Sequence, residues 1–275
     1  MGPVKPRGAW FRRIVLGLAL VYFLVPLASL ADFSVRFPLT GKVDAAAWQA
    51  LFGGGESDKL SLLREGLTNS LIMAVMAVVI SLGLLLPTMV LVRLRLPRMI
   101  KVIEFVCLLP LTVPAVVLVV GLAPVYLVIS TKILDSNTIW LAFAYVILCL
   151  PYVYRALDSG LRAIDLKTLS ETARSFGASW PTVLLRVLVP NLRSALVSSV
   201  FVTLAVVLGE FTIARMLART NLQTALFEIN LSDGQIAAAV SLLILGGTIL
   251  LMVTLDLIVA LQERRIRPST RSDVS

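Results

Sequence analysis

The chain has 275 residues, of which 58% are hydrophobic and 15% charged, with a formal net charge of +9 and a mean hydropathy of +0.94. A soluble domain of this length carries far more charge, so the composition specifies one integral, polytopic membrane domain. Nucleic-acid binding is excluded because the basic residues are dispersed at the ends of apolar runs, and the lack of any His removes His-based metal sites, general bases and triads.

Apolar runs near the roughly 20 residues that cross a bilayer fall at 14–31, 70–92, 105–129, 138–154, 194–214 and 236–260. They predict an all-α membrane protein of six transmembrane helices. The first run follows a basic stretch, 1–13, and Ala28-Ser29-Leu30-Ala31 offers the small residues of a signal-peptide cleavage point. A retained helix is preferred, since the rest of the chain is polytopic and an even number of spans is needed. Residues 32–69, with Gly53-Gly54-Gly55 and mixed charges, read as an extracytoplasmic loop.

The third run carries Pro110, Pro114, Gly121 and Pro124. Membrane helices tolerate proline where neighbours or water satisfy the freed carbonyls. Packing kinks are expected there, or a bend beside a translocation path. Cys107 and Cys149 fall inside the third and fourth runs and read as small buried hydrophobes without a disulfide. The fourth run is short, and the fifth follows Pro190 and carries Glu210.

Between the fourth and fifth runs lies a polar, basic segment, 164–190. From Asp165 to Phe176, Leu166, Leu169, Ala173 and Phe176 recur at helical spacing and give one narrow apolar face. Asp165 is placed to cap the helix, and Gly177 to end it in the left-handed conformation. Ser179-Trp180-Pro181 starts a second helix, which Pro190 would interrupt. On pattern alone, this is equally an ordinary surface helix packed on its own protein.

Ionised carboxylates are costly in hydrocarbon, so Glu104, Glu210 and Asp256 should face protein, water or an interface. Glu104 and Asp256 lie near span ends, within reach of Lys101, Arg264 and Arg265. Glu210, in Gly209-Glu210-Phe211, lies deeper. It reads as a carboxylate hydrogen-bonded to a neighbouring helix, or as part of a gate or weak cation contact. In the last run, Gly246-Gly247 permits close helix approach, and residues 263–275 form a tail. Of the 25 Lys and Arg, 18 fall on the side of both termini and of segment 164–190, and seven on the other. The positive-inside rule makes the former side cytoplasmic.

Glu171-Thr172-Ala173, three residues, Gly177, nine residues and Val187-Leu188-Val189-Pro190 resemble the EAA loop of ABC importer permeases. The departures are Thr172, Val187 and Val189, all close in size to the usual residues. Asn69-Ser70-Leu71 is similar to the start of the permease core in that family, and the resemblance covers roughly residues 66–262. It implies a type I ABC importer permease fold, with 1–13 cytoplasmic, a first helix 14–31, a permease core 70–262 and a cytoplasmic tail 263–275. Within it, the loop forms a coupling helix that docks on a separate ATPase through Leu166, Leu169, Glu171, Ala173, Arg174, Phe176, Gly177 and Pro190. Glu210, Phe211, Pro110 and Pro114 would border the pathway.

The implied partners are two ATP-binding subunits, a second permease (commonly a paralogue) and an extracytoplasmic solute-binding protein, in a prokaryotic cytoplasmic (inner) membrane. ATP and Mg would sit on the ATPase subunits and no cofactor on this chain, which has no Gly-x-x-x-x-Gly-Lys-Ser/Thr loop and is not itself expected to be an enzyme. The run from Asn69-Ser70-Leu71 through Leu208-Gly209-Glu210-Phe211 to Asp233-Gly234-Gln235-Ile236-Ala237 looks most like spermidine/putrescine-type permeases. Phosphonate, ferric-iron and thiosulfate/sulfate permeases share much of it. The competing readings are an ATP-independent secondary transporter or channel subunit, for which mid-membrane ionisable residues and inverted repeats would be expected, and a membrane-anchored structural partner.

Overall fold

Backbone polar groups in an apolar layer have to be satisfied within the chain, and here helices satisfy them. Among the described residues, the only strand-like pairing is an isolated antiparallel bridge between Arg36 and Val43. The computed structural model describes residues 9–36, 41–53, 58–133 and 135–266. Lys5, Arg7, Gly54, Gly55, Arg267 and Arg271, which entered the sequence reading, lie outside them, as do the side chains of Asp256, Arg264 and Arg265.

The helices are α1 (Ala9–Val35), α2 (Ala46–Phe52), α3 (Asp58–Arg95), α4 (Ile100–Leu108), α5 (Ala115–Val128), α6 (Ala142–Ala163) and α7 (Leu166–Ser175). There follow short α8 (Trp180–Thr182) and α9 (Val189–Asn191), then α10 (Arg193–Gly209), α11 (Thr212–Met216), α12 (Leu222–Ser232) and α13 (Gly234–Ile266). They sort into two compact units, Asp58–Ala225 and Met1–Ser57 with Leu226–Ser275.

In Asp58–Ala225, α3, α6 and α10 pack on one another. Lipid tails are as apolar as leucine, so membrane helices associate through close packing and interhelical hydrogen bonds, which small residues favour. Small residues contribute to the buried faces, with Ala74, Ala77 and Ser81 on α3, Ala144 and Cys149 on α6, and Ala195, Ser199 and Thr203 on α10, alongside larger ones such as Met73, Leu85, Tyr145 and Leu157. The hydroxyls of Ser199 and Thr203 donate to Ala195 O and Ser199 O, each 2.8 Å away, so they need no partner on another helix. Both cysteines are free and buried, as expected.

In the other unit, α1 packs against α13 and α2. The Trp48 indole donates to Ser34 Oγ (3.2 Å) and Gln235 Nε2 to Arg36 O (2.9 Å). Asp233 caps α13 by accepting from Ile236 N (3.2 Å). The helix α1 continues without a break through Ala28–Ala31.

Among the described residues, four segments are long and apolar enough to cross a bilayer: Trp10–Val35, Asp58–Arg95, Thr138–Ala163 and Arg193–Met216. Two expectations change. The third run is not one kinked helix, because Pro97–Thr112 and Ala115–Val128 meet at 103°. Proline has no N–H to donate and disfavours helix at the preceding residue, and here Val113 is extended where Pro114 opens α5. The segment 32–69 is not simply a loop, since α2 and the first turns of α3 lie in it. Helix α13 runs on to Ile266, its described apolar part is Gly234–Leu250, and the other described helices supply up to five crossings when the bent pair counts as one.

Gly160 of α6 faces α10 so closely that a Cβ there would lie 2.4 Å from Ala195 Cβ. Gly160→Val is therefore expected to destabilise the unit by about 1–3 kcal/mol, read as a lowered Tm in detergent. Ala195→Gly in the same chain should restore part of it. An unchanged Tm for Gly160→Val would contradict this α6–α10 contact.

Candidate functional site

Two constellations stand out, at opposite ends of the α3–α6–α10 core. On α6, Tyr145 belongs to one, and Asp158, 13 residues or about 20 Å along the helix, lies toward the other.

The first is the loop helix α7. Asp165 caps it, its carboxylate accepting from Thr168 N (3.1 Å). Hydrogen bonding from Thr168, through its side chain and its N–H, holds the Asp165 carboxyl below its ordinary value. A depressed carboxyl stabilises the folded helix above its unfolded value, and that contribution disappears as pH falls through the folded one. At the other end, Gly177 has φ +82°. Its N–H donates to Arg174 O (2.9 Å) and that of Ala178 to Ala173 O (3.1 Å), the two bonds of a Schellman ending.

After this turn, Trp180 opens α8 with Pro181 in its first turn. The interruption at Pro190 takes the form of a π-turn over Val183–Leu188. A turn follows at Leu192, whose N–H reaches Leu188 O (3.0 Å) and Val189 O (3.1 Å).

The structure shows where the side chains of α7 lie. Its apolar face is turned inward: Leu166 is buried, and Leu169 and Ala173 pack against the protein's own core. A helix of net polar composition on a core surface buries its few apolar side chains first. Phe176 departs from that face and is 86% exposed, since the chain turns away at Gly177. Lys167, Glu171, Thr172 and Ser175 are also exposed. Lys167 and Glu171 approach to 4.0 Å across one helical turn, with both side chains largely in solvent, a pair worth little.

The second constellation surrounds the break between α10 and α11. Gly209 ends α10 and Glu210 is extended, which leaves carbonyls without intrahelical donors behind the break and N–H groups without acceptors ahead of it. The Glu210 carboxylate accepts from Ile213 N (2.8 Å) and Ala214 N (3.4 Å). Gln223 Nε2 donates to Leu208 O (2.9 Å), and Asn221 Nδ2 to Glu210 O (2.6 Å) and Tyr145 Oη (3.2 Å). Asn221 is fully buried, and its Oδ1 accepts from Thr224 N (2.8 Å). Across from it, Leu222 N donates to Ser70 Oγ (2.9 Å) and Asn69 Nδ2 to Thr220 O (3.0 Å). Gly66 permits this approach, because a Cβ there would sit 2.7 Å from Asn221 O.

Asn69-Ser70 and Gly209-Glu210, 140 residues apart in sequence, thus meet at one buried polar node. Glu210 serves as the carboxylate of a helix cap, with 8% of its surface exposed. Phe211 is half-buried beside it. Pro110, half-buried in the turn Leu109–Thr112, and Pro114, exposed at the start of α5, mark the other break. The element following each break is in contact with the other, α11 with α5.

Three features escaped the sequence reading. Asp158 holds Arg93 of α3 and Arg162 of its own helix, the latter at 2.7 Å; only the Arg162 partner, four residues on, is visible in sequence. Tyr126 Oη bridges α5 to α6, donating to Trp140 O (2.9 Å) and accepting from Ala144 N (3.0 Å). Trp180 packs against both Arg174 and Arg95.

If Glu210 acts as a cap, Glu210→Gln keeps an oxygen for Ile213 N and should transport within about twofold of the parent, whereas Glu210→Ala loses about 1 kcal/mol or more of stability. If its charge instead contacts a cation, Gln should abolish transport while leaving Tm unchanged. Solute uptake and Tm of the two variants separate the cases.

The family model described as "Binding-protein-dependent transport system inner membrane component" matches residues 95–268, more than half of the chain. No curated protein matches it.

Proposed function

The chain belongs to the family of inner membrane components of binding-protein-dependent transport systems, and from that membership we propose a specific division of labour within an ABC importer. The chain is the multi-pass permease subunit, and ATPase subunits and a solute-binding protein are the partners such a family implies. In our reading its two termini and α7 are cytoplasmic, the chain crosses the membrane six times, and α7 is the coupling helix. Two ATPase subunits bind α7 and its symmetric counterpart on a second permease, commonly a paralogue. ATP binding there shifts the two permeases between inward- and outward-facing packings.

The observation that carries this reading is an exposed, doubly capped helix at the basic end of the bundle, with its apolar face already used internally. A lever has to be stiff and anchored. Asp165 and the Gly177 ending make α7 stiff, and Leu166, Leu169 and Ala173 anchor it to the core. The docking contact then falls to Phe176, with Glu171 and Lys167 at its rim. Exposed aromatics of this kind are the usual anchors of protein interfaces.

For the solute we propose a polyamine. The support is the resemblance of the segments around Asn69, Glu210 and Asp233 to spermidine/putrescine-type permeases. Glu210 adds nothing to it, since its carboxylate is engaged by backbone N–H groups.

Purification of the tagged chain from native membranes in mild detergent should recover an ATPase, a second permease and a solute-binding protein. Ligand binding by that last protein names the solute. Recovery of this chain alone would remove the reading. Phe176→Ala should weaken ATPase association by about 2 kcal/mol or more. Gly177→Asp, at positive φ, and Glu171→Lys should lower transport per ATP hydrolysed with normal membrane insertion. Normal ATPase association and transport in all three would place the coupling contact elsewhere.

A further inference from the structure

Two guanidinium groups converge on one indole at the basic end of the bundle. Arg174, in the last turn of α7, has its Cζ 5.0 Å from the centroid of the Trp180 ring, and Arg95, the last residue of α3, has its Cζ 5.4 Å away. Both arginines are exposed, and neither has a carboxylate partner among the described residues. Like charges drawn to one place repel, and what holds these two is the electron-rich face of the largest aromatic side chain. Trp180 itself is half-buried and packed against the core, which fixes the ring between two helices that otherwise have few contacts.

The helix on the far side of this contact is α3, 38 residues long. Its residues Gly66, Asn69 and Ser70 are part of the buried node at the opposite end. A displacement of α7 therefore reaches α3 through Trp180, and α3 runs the length of the unit.

We propose that Trp180 is a positioning residue of the transport cycle: it ties the coupling helix to α3, so that motion imposed on α7 is passed to the bundle. This rests on the coupling-helix reading above and adds the route by which the motion leaves the loop.

The test uses the intact complex, purified with its ATPase subunits and binding protein and reconstituted in vesicles, with solute uptake and ATP hydrolysis measured together. For Trp180→Leu the expected result is normal ATPase association with solute moved per ATP reduced about two- to fivefold, the factor corresponding to exposed cation–π contacts. Trp180→Phe, which keeps an aromatic face, should recover part of that ratio. Leu at a half-buried position also perturbs packing, so Arg95→Gln and Arg174→Gln serve as independent variants at exposed positions. Each should lower the ratio, and the double variant should be no worse than either alone, because both act through one ring.

A parental ratio in Trp180→Leu, no advantage of Phe over Leu, or additive arginine effects would overturn the proposal and leave the importer reading standing. Failure of the parent chain itself to copurify with an ATPase would remove both.

Discussion

A helix that stops inside an apolar layer exposes backbone groups that have no water to bond, and most of this fold's particular features answer that constraint. At the end of α10 the answer is a set of side chains. The Glu210 carboxylate takes the leading N–H groups of α11, and the amides of Asn221 and Gln223 reach the trailing carbonyls of Glu210 and Leu208. At Pro190 it is a widened helical turn, and in the exposed loop a Schellman ending at Gly177 meets the same need for partners. Each break redirects the chain without leaving it unsatisfied, so each can be a fixed corner in a moving protein.

The corners are placed where the tight helical core can use them. The buried faces of α3, α6 and α10 interleave small residues with large ones such as Met73, Leu85, Tyr145 and Leu157, and the small positions let the helices pack closely. The node around Asn221 pins α3, α6 and α10 at one end, while the Asp158 cluster joins α3 and α6 at the other. For an importer subunit the consequence is mechanical. On the proposed reading a push on α7 moves packed helices as units, and the largely buried, hydrogen-bonded node around Asn221 is a fixed point for them.

The coupling loop shows how a family pattern and a local environment divide the work. Apolar residues at helical spacing could face a partner or the protein's own core, and spacing does not distinguish them. Here Leu166, Leu169 and Ala173 face the core, and Phe176 is left outside by the turn at Gly177. On the proposed reading the partner contact is centred on Phe176, and the helix behind it is capped at both ends.

Much of this was legible in the sequence. Hydropathy alone identifies the membrane class, the Lys and Arg bias supplies an orientation, and Asp165, Gly177 and Pro181 announce the ends of the loop helices because capping is local chemistry, decided within a few residues. What only the tertiary structure decided depends on contacts far apart in the chain. The third run contains three prolines, but whether proline kinks a helix or divides it depends on what surrounds the freed carbonyls, and here it divides it at 103°. In sequence Glu210 fitted a hydrogen-bonded carboxylate or, less well, a gate, and its partners at the start of α11 and at Asn221 are visible only in the fold. Nothing near Trp180 in sequence mentions Arg95, 85 residues earlier. Local sequence sets where helices start, stop and cross, and the packing of distant segments sets which polar groups are already satisfied and which remain free to act.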